Sequence, residues 1–227
     1  MEQFKKVFSV AVLVVGLLLV GKTAPAMAAP PIIDGVMGAT EWDAFLILAP
    51  DPNEGVHLDQ YDFSEIRGLN DPTGTYFLVR TYAAPSLVDF SPGSPTRAAI
   101  SIALDYNGNG LFTDAVDRSL FHTALADGTG QTFEVRNGLG TLLLSGVEGT
   151  HFKLGSVVEY FVPLGSGGDP IPSTLKGFAE YQDGGGAADD QLPDEGYFQP
   201  SPEPTSLSLL GFGLLGLLGT SLRRRLF

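Results

Sequence analysis

The chain has 227 residues, 44% hydrophobic and 17% charged, with 29 glycines, 16 prolines, no cysteine and a net charge of −13. Without cysteine it holds no disulfide framework and no thiolate metal site, and this hydrophobic fraction excludes intrinsic disorder of the whole chain. Between Pro30 and Pro204 stand 25 acidic and 7 basic residues, a net charge of −18, so this stretch repels nucleic acid and its natural counterpart is a cation.

The first element is a signal. Lys5 and Lys6 precede an apolar run from Val7 to Val20, interrupted only by Ser9 and Gly16, and the small-residue stretch GKTAPAMAA follows. Charged, apolar and small-residue segments in that order make a secretory signal helix over residues 1–28. Ala26 and Ala28 supply the small side chains that signal peptidase inspects, which puts cleavage after Ala28. The alternative is an uncleaved anchor, but the apolar run of about 14 residues is short of the roughly 20 a spanning helix needs.

Residues 29–182 are read as one domain, large enough to bury a core. Segments rich in β-branched and aromatic residues recur at 63–69, 75–83, 97–104, 119–124, 132–136, 141–144, 156–164 and 176–182. Turn signals separate them: NDPTG at 70–74, DYNGNG at 105–110, Asn137-Gly138, and GSGG at 165–168. No stretch sustains helical periodicity, so the expected fold is an all-β, antiparallel β-sandwich. In the segment VVEYFVPL, Val158, Tyr160 and Val162 share one face and Val157, Glu159 and Phe161 the other, so one of these faces must be core.

The domain opens PPIIDGVMGATEWDAF, with Ile33-Asp34-Gly35 followed by Glu41-Trp42. This start resembles that of the family 9 carbohydrate-binding modules and their DOMON-like relatives, and the likeness extends loosely to TYFLVRTYA, LDYNGNG and VVEYFVPL. It implies the same sandwich. Sugar binding in that family depends on aromatic platforms, commonly tryptophans, whereas Trp42 is the only tryptophan here and is read as a packing residue. Tyr61, Phe63, Tyr76 and Tyr82 are the substitutes available for a platform.

The strongest candidate site is DYNGNGLFTDAVD. Asp105, Asn107 and Asn109 occupy alternate positions, Gly110 permits the sharp turn, Leu111 offers its carbonyl, and Asp114 or Asp117 closes the shell. That spacing matches the first half of an EF-hand-type loop, whose oxygens converge on Ca²⁺. Val116 stands where a complete EF-hand needs a bidentate glutamate, so the expectation is a weak, structural calcium loop. The competing reading is a hairpin loop whose asparagines and glycines serve the turn alone.

Catalytic constellations are lacking. His57, His122 and His151 are isolated, and neither HExxH nor a GxSxG elbow occurs. Glu134, Glu159 and Glu180 sit mid-strand, where a glycosidase pair is conceivable in principle and the polar side of an amphipathic strand is the ordinary role. The chain is therefore expected not to be an enzyme.

Residues 183–201, rich in glycine, proline and acid, read as a solvated tether. Then come Pro202, Glu203 and Pro204, an uncharged stretch from Thr205 to Leu222, and Arg223, Arg224 and Arg225. Eighteen residues of helix span about 27 Å, close to the hydrocarbon thickness of a bilayer, and the arginines mark the cytoplasmic side. The order of these three parts closely resembles the PEP-CTERM sorting domain of Gram-negative bacteria that make exopolysaccharide. The resemblance covers residues 202–227 and implies processing by an exosortase-type membrane protease that reads Pro202, Glu203 and Pro204. On that reading the precursor sits transiently in the inner membrane, and the mature domain reaches the cell surface or exopolysaccharide matrix.

Overall fold

The computed structural model describes residues 30–38, 41–42, 46–52, 58–87, 98–124, 130–182, 188–194 and 196–200. The signal helix with Ala26 and Ala28, the sorting motif Pro202, Glu203 and Pro204, the C-terminal transmembrane helix, the arginine cluster and His57 lie outside them.

No α-helix occurs among the described residues, and eleven strands form two antiparallel sheets. They are β1 (Leu46–Pro50), β2 (Phe63–Asp71), β3 (Gly74–Thr81), β4 (Ala99–Asp105), β5 (Arg118–Ala124), β6 (Gln131–Asn137), β7 (Leu142–Ser145), β8 (Phe152–Leu154), β9 (Val158–Pro163), β10 (Lys176–Gln182) and β11 (Ala188–Leu192). One sheet runs β1-β2-β3-β9-β8 and the other β11-β10-β4-β5-β6-β7. The described part of the chain is thus all-β, with the two-sheet arrangement expected of a sandwich.

Alternation along the strands builds the main core. Phe77 and Val79 of β3 and Val158, Tyr160 and Val162 of β9 meet Ile100, Ile102 and Leu104 of β4, Leu120 of β5 and Phe133 and Val135 of β6. Each such side chain, fully buried, contributes about 1.5–3 kcal/mol of transfer free energy. The other face of the five-stranded sheet is covered as well. Trp42, Tyr76, Leu78 and Val157 are buried there in a second cluster, flanked by Ile33, Met37, Leu69 and Phe161. Both faces of β9 are therefore packed, one between the sheets and one beneath the N-terminal segment.

The tether expected over 183–201 is corrected. Ala188–Leu192 forms β11, paired with β10 from Ala179↔Leu192 to Gln182↔Ala188. Leu192 and Phe198 are buried in the main core, and Phe198 exchanges two backbone hydrogen bonds with Gly177, at 2.8 and 3.1 Å. The acidic composition suggested solvation, yet Asp190 is buried and its Oδ2 accepts the Phe63 N–H at 2.7 Å. β1 and β8 likewise fall outside the expected strands, because five and three residues give too little alternation to read.

Candidate functional site

The loop joining β4 to β5 leaves from one end of the six-stranded sheet. Asp105, at the end of β4, is fully buried and accepts the backbone N–H groups of Gly108 at 2.7 Å and Gly110 at 2.6 Å. Asn107 Oδ1 accepts the Asn109 N–H at 3.0 Å, and Asn109 Oδ1 the Leu111 N–H at 2.6 Å. The two amide nitrogens both donate to Asp114 Oδ2, each at 2.7 Å. Asn107, Asn109 and Asp114 are thus brought together, whereas both oxygens of Asp105 are turned to the loop backbone.

Asp117 ends the loop just before β5. It is buried, and its carboxylate accepts the Tyr106 N–H at 3.1 Å and the Asp114 N–H at 2.7 Å. Burial raises its pKa against the pull of these hydrogen bonds. Leu111 projects outward. Arg118 closes the loop from below: it pairs with Asp169, donates to the Ala115 and Asp117 carbonyls, and lies over the Tyr106 ring. The arrangement is a set of Asx turns whose oxygens have lone pairs left over.

Among the described residues the acidic groups that converge lie elsewhere in the fold. Asp51, Asp190 and Asp194 each bring a carboxylate oxygen within 4.8 Å of the others, a geometry that could hold a metal ion. No sequence signal joins Asp51 to the other two, since only the pairing of β11 into the fold brings them together.

The three mid-strand glutamates are separated. Glu134 pairs with Arg136 at 2.7 Å, and Glu180 accepts from Gln182 at 2.9 Å, both on the outer face of the six-stranded sheet. Three strand spacings lie between them, about 14 Å, beyond the separation at which two carboxyl groups flank a glycosidic bond. Glu159 belongs to the other sheet and is buried, accepting from Asp34 N at 2.9 Å, Gly35 N at 2.7 Å and Trp42 Nε1 at 3.0 Å. Burial nonetheless raises its pKa.

The two described histidines, His122 and His151, have separate partners. His122 is buried between the sheets, with Nε2 2.7 Å from Gln131 Oε1 and Nδ1 3.0 Å from the Tyr160 hydroxyl. Because the Gln131 oxygen can only accept, Nε2 carries the proton and Tyr160 donates to Nδ1. His151 accepts the Val147 N–H at 3.0 Å and stacks against Phe161.

Trp42 and Phe63 are fully buried and Tyr61 and Tyr76 are largely so, in keeping with packing roles, which removes the last three as platforms. Tyr82 is partly exposed, and its hydroxyl donates to the Asp51 carbonyl. The accessible aromatics lie elsewhere: Phe121 on the outer face of the six-stranded sheet, and a cluster of Phe112, Phe178 and Tyr197 with ring centroids 5.0 to 6.3 Å apart. No family model matches the chain, and no curated protein or solved structure matches it.

Proposed function

We propose that this chain is a non-enzymatic exported protein, sorted to the cell surface or exopolysaccharide matrix of a Gram-negative bacterium by a C-terminal signal of the PEP-CTERM type. The order of Pro202, Glu203 and Pro204, the uncharged stretch Thr205–Leu222 and Arg223, Arg224 and Arg225 carries this reading. Its partners in transit are signal peptidase and an exosortase-type protease, for which it is a substrate. Replacing Pro202 and Glu203 by alanine traps full-length protein in the inner membrane. Normal release and trimming of that variant refutes the reading.

The separation of Glu134, Glu159 and Glu180 supports the absence of hydrolytic chemistry. Turnover on a glycan and ester panel, abolished by Glu180→Gln, would overturn it. Within the domain, the loop of Asp105, Asn107, Asn109, Leu111, Asp114 and Asp117 serves as a weak structural Ca²⁺ site that orders the end of the sandwich.

The second reading is a carbohydrate-binding module, and a specific observation favours it. On the outer face of the six-stranded sheet, small side chains of β4 (Ala99, Ser101 and Ala103) lie between Phe178 and Glu180 of β10 and Phe121 of β5. Aromatic faces beside carboxylate and amide groups suit a neutral glycan. Binding on a glycan array without turnover, lost in Phe121→Ala, distinguishes this reading from matrix residence alone.

A further inference from the structure

The loops after β2, β4, β6 and β9 gather at one end of the sandwich. The Tyr106 hydroxyl donates to the Asp169 carbonyl, Gly138 N–H to the Asp117 carbonyl, and Leu164 N–H to the Thr73 carbonyl. The chain leaves the fold at the same end, since Phe198 pairs with Gly177 near the start of β10 and Tyr197 packs on Phe112 of the β4–β5 loop.

Three of these loops end in the same way. Gly110-Leu111, Leu139-Gly140 and Leu164-Gly165 each set a leucine beside a glycine of φ close to +80°, and the leucines are 60%, 69% and 56% exposed. A Cβ on Gly140 or Gly165 would meet nothing within 4 Å, so these tips stand in open space. The nearby carboxylates are engaged in local bonds: Asp105 and Asp117 are buried on backbone N–H groups, Asp71 caps Thr73 and Gly74, Asp114 accepts from Asn107 and Asn109, and the partly exposed Asp169 pairs with Arg118. Single exposed leucines are ordinary on a soluble surface, whereas a set projecting from one end marks a contact.

The position of the chain end identifies the contact. Only residues 201–204 separate Pro200 from the uncharged stretch that begins at Thr205, a reach of at most about 18 Å. We propose that this end of the sandwich is a membrane-docking surface, with Leu111, Leu139 and Leu164 seated in the interfacial layer of the bilayer that holds Thr205–Leu222. The proposal rests on reading that stretch as a membrane segment. Apolar loop tips gain by entering the headgroup–acyl boundary, and the short connection holds them against it. The precursor is thereby oriented with its outer sheet faces upright and its Pro-Glu-Pro motif confined at the membrane surface.

The chain has no cysteine, so single labels report single positions. Full-length protein carrying Leu111→Cys, Leu139→Cys, Leu164→Cys, Leu58→Cys or Leu214→Cys, each labelled with an environment-sensitive fluorophore, is reconstituted into phosphatidylethanolamine–phosphatidylglycerol vesicles. The same lipids with brominated acyl chains supply the quencher. Leu58 is as exposed as Leu111 but lies before β2 at the opposite end. The expected result is strong quenching at Leu214 and quenching at the three tips roughly threefold or more above that at Leu58, because interfacial burial reaches only about 5–10 Å. Quenching at Leu214 with tips no different from Leu58 overturns the docking surface and leaves the membrane reading intact. Absence of quenching at Leu214 overturns both.

Discussion

Glu159 accepts the indole N–H of Trp42 at 3.0 Å across 117 residues of sequence, and its second oxygen takes the backbone N–H groups of Asp34 and Gly35. One buried carboxylate thus ties the opening segment to the middle of β9. The Ile33-Asp34-Gly35 and Glu41-Trp42 motif is the other half of that lock: Glu41 holds the Ile32 and Gly38 N–H groups, so the segment arrives already folded back on itself.

Glu159→Ala leaves three donors without their acceptor and should destabilise the domain by about 3 kcal/mol, read as a lower urea midpoint with an unchanged slope. Trp42 emission should shift to the red as the segment lifts from the sheet. A variant with wild-type stability and emission would show that the carboxylate does not hold the segment.

His122 makes the core sensitive to acid. Burial lowers its pKa from the ordinary 6.5 to about 4, with the Gln131 hydrogen bond and the charge of Glu148 pulling the other way. The unfolded chain therefore binds the proton first as pH falls, and the stability this neutral imidazole allows is complete above about 6.5 and drains away toward 4, by about 3 kcal/mol in all. Glu159 and Asp117, whose pKa values are raised by burial, act with the opposite sign: their contribution is present at low pH and lost as pH rises. The clean measurement is the difference in unfolding free energy between wild type and His122→Gln from pH 7 to pH 4. That difference should narrow as pH falls, and a constant gap contradicts the assignment.

Calcium at ten times its dissociation constant should stabilise the fold by about 1.4 kcal/mol, a rise in Tm of roughly 3–6 °C for a domain of this size, with magnesium doing much less. Asp105 is a poor choice for the control because it is buried and carries two backbone N–H bonds. Asn107→Ala with Asn109→Ala removes exposed oxygens and should abolish the shift while the sandwich stays folded. Identical melting curves in millimolar calcium and in chelator would reduce the loop to a turn.

A methyl group on Gly177 would lie 2.5 Å from the Phe198 ring and 2.8 Å from the Ala103 carbonyl. Gly177→Ala should therefore expel Phe198 from the core, cost about 2 kcal/mol, and expose the chain around Tyr197 to limited proteolysis. Unchanged protection of that segment would mean that Phe198 is not what anchors the chain end.

Residue pattern alone was enough for the two-sheet, all-β character and for eight of its strands, since a strand half-buried in a sandwich must alternate with period two, as Val158, Tyr160 and Val162 do. It also sufficed for the asparagine–glycine loop between β4 and β5, whose turn chemistry is local. Tertiary structure alone decided the rest. β11 contains adjacent aspartates that read as solvated, and it becomes a strand because it pairs with the edge of β10 away from β4 and Phe63 offers an N–H for Asp190. Glu159 reads as a solvent-facing strand residue, and it is buried because the N-terminal segment lies over that face. Three loop-tip leucines look incidental one at a time, and their placement at one end follows only from the strand order. Local chemistry is written in neighbouring residues, but which face is covered, and by what, depends on contacts more than a hundred positions apart.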